Sequence, residues 1–207
     1  MITVYGLPKS RSTRVLWALE EVQQDYTFIP LDFLKGEQLQ PEYLRINPAG
    51  KVPALLHEDF VLTESAAIVN YVATEFGDDL IPRNNNRLRA EYDRWCFFTL
   101  SELEQPLWTI GKHKFALPAE KRVPAVLETA NWEHEKALGL LSQGLGEKTY
   151  ILGDQFSGAD ILLGHTLRWG LAFKRPLPQQ NLQDYLARLE ARPALQAAVQ
   201  RESQAAA

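Results

Sequence analysis

Three short segments in the first third of the chain carry residue types that can do chemistry together. The first is PKSRSTRV, residues 8–15, lying between a strand-like run and the start of a helical one. A serine there stands beside backbone N–H groups and the positive end of a helix dipole. That setting favours a thiolate, because thiol pKa values fall from ~8.5 to about 3.5–7.5 at helix N-termini or beside cations. A neutral hydroxyl on Ser10 or Ser12 can donate a hydrogen bond to such a sulfur without reacting itself; either serine can equally serve as an N-cap. The second segment is GKVP, residues 50–53. A cis Val52–Pro53 bond would turn the Val52 N–H and C=O away from the sheet and toward a peptide ligand, whereas a trans bond would make Pro53 an ordinary strand opener. The third is TESAAI, residues 63–68, a strand-to-helix junction. Ser65 can offer its hydroxyl and backbone N–H to a carboxylate, and Glu64 can accept from an ammonium. A plain helix start with an acid in its first turn has the same pattern.

Other conspicuous residues read as structure. In FSGAD, Ser157 followed three positions later by Asp160 is a capping box that opens an apolar helix. The lone cysteine, Cys96, sits in the apolar run WCFF, which suits an inert core thiol, and one cysteine allows no disulfide within the chain. His57, His113, His134 and His165 show no ligand spacing, so no metal site is expected. Leu107, Trp108, His113 and Phe115 follow the break at Pro106 and could contact an apolar substrate, although aromatic residues at helical spacing are more often core.

The elements that must position these residues follow from periodicity. Strand signals at 2–6, 26–33, 53–57 and 60–63 alternate with helical ones at 12–22, 41–45 and 64–76, giving the order β-α-β-α-β-β-α. The first βαβ unit should be parallel and the last two strands a hairpin, with Pro30 arguing for an edge position or an irregularity in the second strand. FGDDLIPRNNNR then reads as a linker. Beyond it strand signals vanish, and helices are expected over 87–112 with a kink at Pro106, over 118–142, over 158–171, around Leu182 to Leu189, and from Pro193 to a frayed tail. The expected division is an α/β domain over 1–78, a linker over 79–86 and an all-helical domain over 87–207.

Composition narrows the functions open to such a chain. With 45% hydrophobic and 23% charged residues, 207 residues suffice for a core without metal or disulfide staples. A net charge of −4 gives no broad attraction to nucleic acid or anionic lipid. The chain opens directly on the strand-like ITVYG and holds no run near the ~18 apolar residues of a membrane span. The expectation is a cytoplasmic protein with neither nucleic-acid nor membrane partners.

Taken in order and spacing, SRSTRVLWALEE, INPAGKVPALL and LTESAAIVNYVA resemble the cytosolic glutathione transferase family, and YILGDQFSGADILL, residues 150–163, extends the resemblance into the second half. It implies a thioredoxin-like N-terminal domain, a helical-bundle C-terminal domain, a homodimer, and glutathione as co-substrate for conjugation to a small apolar electrophile. Ser10 corresponds to the thiol-activating serine of the serine-type, bacterial-like transferases, with Ser12 and Tyr5 as the other contenders. Val52 and Pro53 match the cis-proline motif that pairs with the cysteinyl backbone, Glu64 and Ser65 match the pair holding the γ-glutamyl end, and Lys51 is placed for the glycyl carboxylate. The absence of a cysteine from the first loop argues against the classes that form a mixed disulfide with glutathione. A glutathione-dependent reductase or peroxidase and a non-catalytic binding module of the same fold are the alternatives.

Overall fold

A computed structural model of the chain describes residues 1–77 and 79–205. Asp78, expected to end the first domain, and Ala206 and Ala207 of the tail lie outside the described residues. The chain forms two compact units, Met1–Ile81 with Glu190–Ala207, and Pro82–Leu189.

The first unit contains β1 (Ile2–Gly6), α1 (Ser12–Glu21), β2 (Tyr26–Pro30), α2 (Pro41–Leu44), β3 (Ala54–His57), β4 (Phe60–Thr63) and α3 (Ser65–Glu75). Its sheet runs β2-β1-β3-β4, with β1 parallel to β2 and antiparallel to β3, and β3 antiparallel to β4. The βαβ unit and the hairpin are those expected, and β2 is an edge strand. It stops at Pro30 and does not continue to residue 33, because Asp32 Oδ1 accepts from the Leu34 and Lys35 N–H groups and turns the chain. Strand alternation buries Ile2 and Val4, while Tyr5 looks the other way into a cluster with Leu31, Tyr43 and Ala54.

The last helix, α9 (Pro193–Ala205), packs on α1 in this first unit. Its anchors are ionic. Arg192 donates to both carboxylate oxygens of Glu21 at 2.6 and 2.7 Å, and Arg201 reaches Glu20 at 2.6 Å while lying over the Tyr26 ring.

The second unit is helical, with α4 (Asn86–Phe98), α5 (Glu104–Gly111), α6 (Val126–Leu145), α7 (Gly158–Ala172) and α8 (Gln180–Glu190). The long helix expected over 87–112 is interrupted by a wider π turn at Thr99–Leu103, directly before the stretch in which Pro106 lacks the N–H that would close on Glu102. Helix α6 starts at Val126 and not near Pro118, since Pro124 disfavours helical backbone in the residue before it and Arg122 is already extended. Burial pushes the Cys96 thiol up to about 12, in keeping with an inert core residue.

α7 is buried on nearly every side, and Asp160 in its first turn ties it to its surroundings. Its Oδ2 accepts from the Ser157 N–H at 2.8 Å and hydroxyl at 2.9 Å; its Oδ1 accepts from Ile151 N–H at 2.9 Å and Tyr185 O–H at 2.6 Å. Burial pushes the carboxyl pKa up, opposed by these four bonds to its charged form. Asp160→Ala strips the partner from several buried donors and should cost about 3–5 kcal/mol in urea unfolding. Ser157→Ala, losing the cap alone, should cost about 0.5–2 kcal/mol. Equal losses in the two variants would reduce Asp160 to a simple cap.

His134 in α6 is buried, with Nδ1 3.2 Å from the Leu103 carbonyl. A carbonyl only accepts, so Nδ1 carries the proton and Nε2 is bare. Burial holds its pKa below the usual 6.5. A depressed histidine gives stability that is fully present above the unfolded value and lost as pH falls through the folded one. The melting temperature should therefore drop more steeply from pH 7 to pH 5 in the wild type than in His134→Gln. Parallel acid limbs would contradict this assignment.

Candidate functional site

The sheet register gathers the three candidate segments. Tyr5, at the end of β1, stands opposite Ala54, which opens β3; Ala54 in turn stands opposite Thr63, which closes β4. The loop after Gly6, the turn before Ala54 and the junction after Thr63 therefore emerge at one end of the sheet.

The first loop is held by its own hydroxyls. Ser10 Oγ donates to the Leu7 carbonyl at 2.6 Å and accepts from the Ser12 N–H at 3.1 Å, while the N-cap of α1 is Arg11, so neither serine is the cap. Ser12 Oγ accepts from the Leu7 N–H at 3.1 Å and lies 3.0 Å from Ser10 Oγ. Because the single Ser10 proton is engaged at Leu7, Ser12 is the donor between the two hydroxyls. Ser12 is fully buried and Ser10 half-buried. Gly6 makes this fit possible: a Cβ there would stand 2.7 Å from Ser12 Cβ and 2.6 Å from the Phe28 ring. The Tyr5 ring packs on Tyr43, centroids 5.8 Å apart, within the small core cluster.

A carboxylate from the far end of the chain also holds this loop. Glu202 of α9 is buried; it accepts from the Thr13 hydroxyl at 2.8 Å and from the Lys9 N–H at 3.3 Å. Lys9 takes a left-handed φ of 60°. Nothing in local periodicity marks Glu202, since it lies in a helical tail almost two hundred residues away.

In the second segment the Val52–Pro53 bond is cis, as expected. The Lys51 carbonyl before it is fixed by the Tyr43 hydroxyl at 2.5 Å and by Asn47 Nδ2 at 2.7 Å, and burial pushes the Tyr43 phenol up to about 12. Val52 precedes the first ladder residue of β3, and its backbone N–H and C=O pair with no other group among the described residues. The Lys51 side chain is exposed.

In the third segment Glu64 adopts φ 66° and ψ 110°, a conformation an L residue holds only when its surroundings demand it. Its side chain is exposed, and no side chain caps the α3 N-terminus that follows. Ser65 is buried, and its Oγ accepts from Arg14 Nη1 at 3.2 Å. Arg14 is itself fully buried in α1, so a guanidinium links the first segment to the third. Sequence pattern does not announce a buried arginine; the signal available was its place on the helix face that also carries Trp17 and Ala18.

In the helical unit, Leu107 is fully buried core, Trp108 is half-buried, and His113 Nδ1 accepts from the Val123 N–H at 3.0 Å. Phe115 is 60% exposed and meets Phe173 edge-on, centroids 6.0 Å apart. Among the described residues no cluster of three or more His, Cys, Asp or Glu could hold a metal ion, and no helix is long and apolar enough to cross a membrane.

Comparison with known proteins bears on what this arrangement binds. Residues 1–74 match the glutathione S-transferase N-terminal domain, and residues 104–193 match the C-terminal domain. The Escherichia coli disulfide-bond oxidoreductase YfcG is 32% identical over 168 residues, spanning 78% of this chain and 76% of that protein. Glutathione S-transferase F6 of Arabidopsis thaliana is 32% identical over 177 residues, 80% of each chain. Among solved structures, the theta class glutathione S-transferase of Xanthomonas axonopodis pv. citri with glutathione bound superposes with a TM-score of 0.82 at 31% identity over 96% of both chains. With a thioredoxin-like unit of this topology, an all-helical partner unit and both family domains matched, the chain belongs to the glutathione S-transferase family.

Proposed function

We propose that this protein is a serine-type, bacterial-like glutathione transferase that activates the glutathione thiol with Ser10 and conjugates it to a small electrophile with an apolar body. The observation that carries the reading is the state of the Ser10 hydroxyl. Its oxygen accepts from the Ser12 N–H, while its proton is directed to the Leu7 carbonyl of the same loop. Turning that proton from Leu7 to a sulfur leaves the oxygen where it is, and the α1 dipole adds to the stabilisation of negative charge. Ser12 lacks this freedom because it is fully buried, and Tyr5 is committed to the ring cluster.

Glutathione supplies the nucleophilic thiol. The unpaired Val52 backbone suits pairing with its cysteinyl residue. The uncapped N-terminus of α3, with Ser65 and the exposed Glu64, suits the carboxylate and ammonium of a γ-glutamyl group. Exposed Lys51 suits the glycyl carboxylate. In a substitution the sulfur–carbon bond forms as the leaving group departs with the bonding pair, and the thiol proton passes to solvent. The electrophile belongs to the helical unit, and a homodimer in the cytoplasm completes the reading.

A second reading, a glutathione-dependent disulfide oxidoreductase, is favoured by the 32% identity to YfcG. Side-by-side assays with a halonitrobenzene and with hydroxyethyl disulfide separate the two, since only a reductase turns over the disulfide.

If Ser10 donates to the thiolate, Ser10→Ala should raise the pKa in the pH profile of conjugation by about one to two units, a charge-assisted bond being worth about 1.5–3 kcal/mol. Turnover near pH 7 should fall about ten- to a hundredfold and recover in part at high pH. Ser12→Ala should lower the melting temperature and Tyr5→Phe should change little, both with the wild-type pH profile. A shifted profile in either control with an unshifted one in Ser10→Ala would pass the role to that residue.

Glutathione at millimolar concentration should raise the melting temperature by mass action. Glu64→Ala should weaken binding about tenfold in calorimetry, for the same charge-assisted reason. No binding at all to the wild type would point to a non-catalytic member of the fold.

A further inference from the structure

The helical unit bears an open pocket of about 210 Å3 lined by Lys114, Phe115, Ala172, Phe173 and Lys174. A cavity of about 150 Å3 is enough for benzene, so there is room for one substituted ring. Its walls are the perpendicular rings of Phe115 and Phe173, whose tips both lie 3.5 Å from where a Cβ on Gly111 would stand. The walls are held from behind: Arg122 donates to the Phe115 and Leu117 carbonyls, and Arg175 donates to the Phe173 carbonyl and to Asn131. Trp169 backs the Phe173 ring at 5.7 Å.

The charge at the rim is one-sided. Lys114 and Lys174 are exposed, and neither forms an ion pair among the described residues. Lys174 also holds a position that favours glycine. Its N–H closes on the Leu171 carbonyl at 2.8 Å and the Arg175 N–H closes on Gly170 at 2.9 Å, the two bonds of a Schellman ending, with Lys174 at φ 58°. A side chain there is strained where glycine would not be. The helix end does not require its charge, since Arg175 already supplies a cation to the terminal Phe173 carbonyl. A strained residue that keeps an unpaired charge beside an aromatic cleft points to a ligand.

We propose that this pocket takes a single-ring aromatic electrophile carrying a carboxylate or similar anionic group, its ring against Phe115 and Phe173 and its charge toward Lys114 and Lys174. The identification as electrophile rests on the thiol-conjugation reading; the binding preference rests on the helical unit alone.

Binding is tested without glutathione on the full chain, by tryptophan fluorescence with unreactive 3-nitrobenzoate and its neutral analogue 3-nitrobenzamide. The wild type should bind the anion about tenfold more tightly. Lys114→Met and Lys174→Gly should each remove about three- to fivefold of that preference, the range of an exposed charge pair. High salt should erase it. Glycine suits the backbone at 174, so Lys174→Gly should melt no lower than the wild type. Equal affinity for the two probes, or an undiminished preference in the double variant, overturns the proposal.

Turnover is then compared for 4-chloro-3-nitrobenzoate and 4-chloro-3-nitrobenzamide with glutathione, each relative to its uncatalysed rate. The thiolate sulfur bonds to the ring carbon, chloride leaves with the bonding pair, and the thiol proton goes to the buffer. Greater enhancement for the anion supports the electrophile assignment; equal enhancement overturns it and leaves the transferase reading intact. If neither substrate reacts, the transferase reading falls, while the binding comparison still decides the pocket.

Discussion

Ala54 is hydrogen-bonded into the sheet between Tyr5 on one side and Thr63 on the other, and the candidate site depends on that register. A shift of one residue in β3 would turn every side chain of the strand to the opposite face. It would also carry Val52 away from the ends of β1 and β4. The register is defended on both faces: Leu55 is buried in the main core of the unit, and Ala54 joins Tyr43 and Leu31 in the smaller cluster. Before the strand, Tyr43 and Asn47 clamp the Lys51 carbonyl. The backbone at Val52 is thus placed by core packing and by two side-chain hydrogen bonds at once.

Much of this was legible in sequence because it rests on local chemistry. Proline at 30 forecast an edge or an irregularity in the second strand, the closely spaced runs 53–57 and 60–63 forecast a hairpin, and Ser157 with Asp160 forecast a helix start; each of these is dictated by a donor, an acceptor or a dihedral within a few residues. What escaped was whatever depends on a distant partner. α9 has the composition of any surface helix, and the pairing of Arg192 and Arg201 with Glu21 and Glu20, together with the bonds from Thr13 and Lys9 to Glu202, tells which unit it joins. Asp160 looked like a two-residue cap until Ile151 and Tyr185 were seen to donate to it as well. Arg14 and Glu202 are charged types that ordinarily stay in water. Ser65, Thr13 and Lys9 meet them in three dimensions, a placement that no sequence spacing shows. The start of α6 was misplaced for a local reason, the weight of Pro124 against an otherwise helical composition.

Buried charge and strained backbone fall together around the first and third segments. Lys9 and Glu64 both hold left-handed φ values without being glycine, and each lies beside a buried ionic contact: Glu202 bonds Lys9 and Thr13, and Arg14 bonds Ser65. Gln23 and Glu58 share the conformation but lie just past the end of α1 and in the hairpin turn, where a chain reversal explains it. A buried charge bonded to a loop makes local rearrangement costly, because moving the loop strips hydrogen bonds from that charge. The loop around Ser10 is therefore held stiff at its backbone, with the Ser10 oxygen fixed by the Ser12 N–H. The thiol-activating role proposed for Ser10 draws on that stiffness, since a positioned oxygen needs only a turn of its proton to meet developing charge.

The two units differ in what they would recognise a ligand with. The first offers mainly backbone and small hydroxyls: the Val52 amide and carbonyl, the N-terminus of α3, Ser65 and Ser10. Such groups are set by fold and register, and many different surrounding sequences can supply them. The second offers side chains on a helical frame that Asp160 and α7 hold independently of them. Phe115, Phe173, Lys114 and Lys174 line an open surface where replacement leaves the buried frame intact. A site made of backbone geometry is readable from motifs, because motifs are what the geometry requires. A site made of exposed side chains is constrained by its ligand alone, so the electrophile preference proposed for Phe115, Phe173, Lys114 and Lys174 would rest on the three-dimensional placement of charge and ring and not on the spacing of residues.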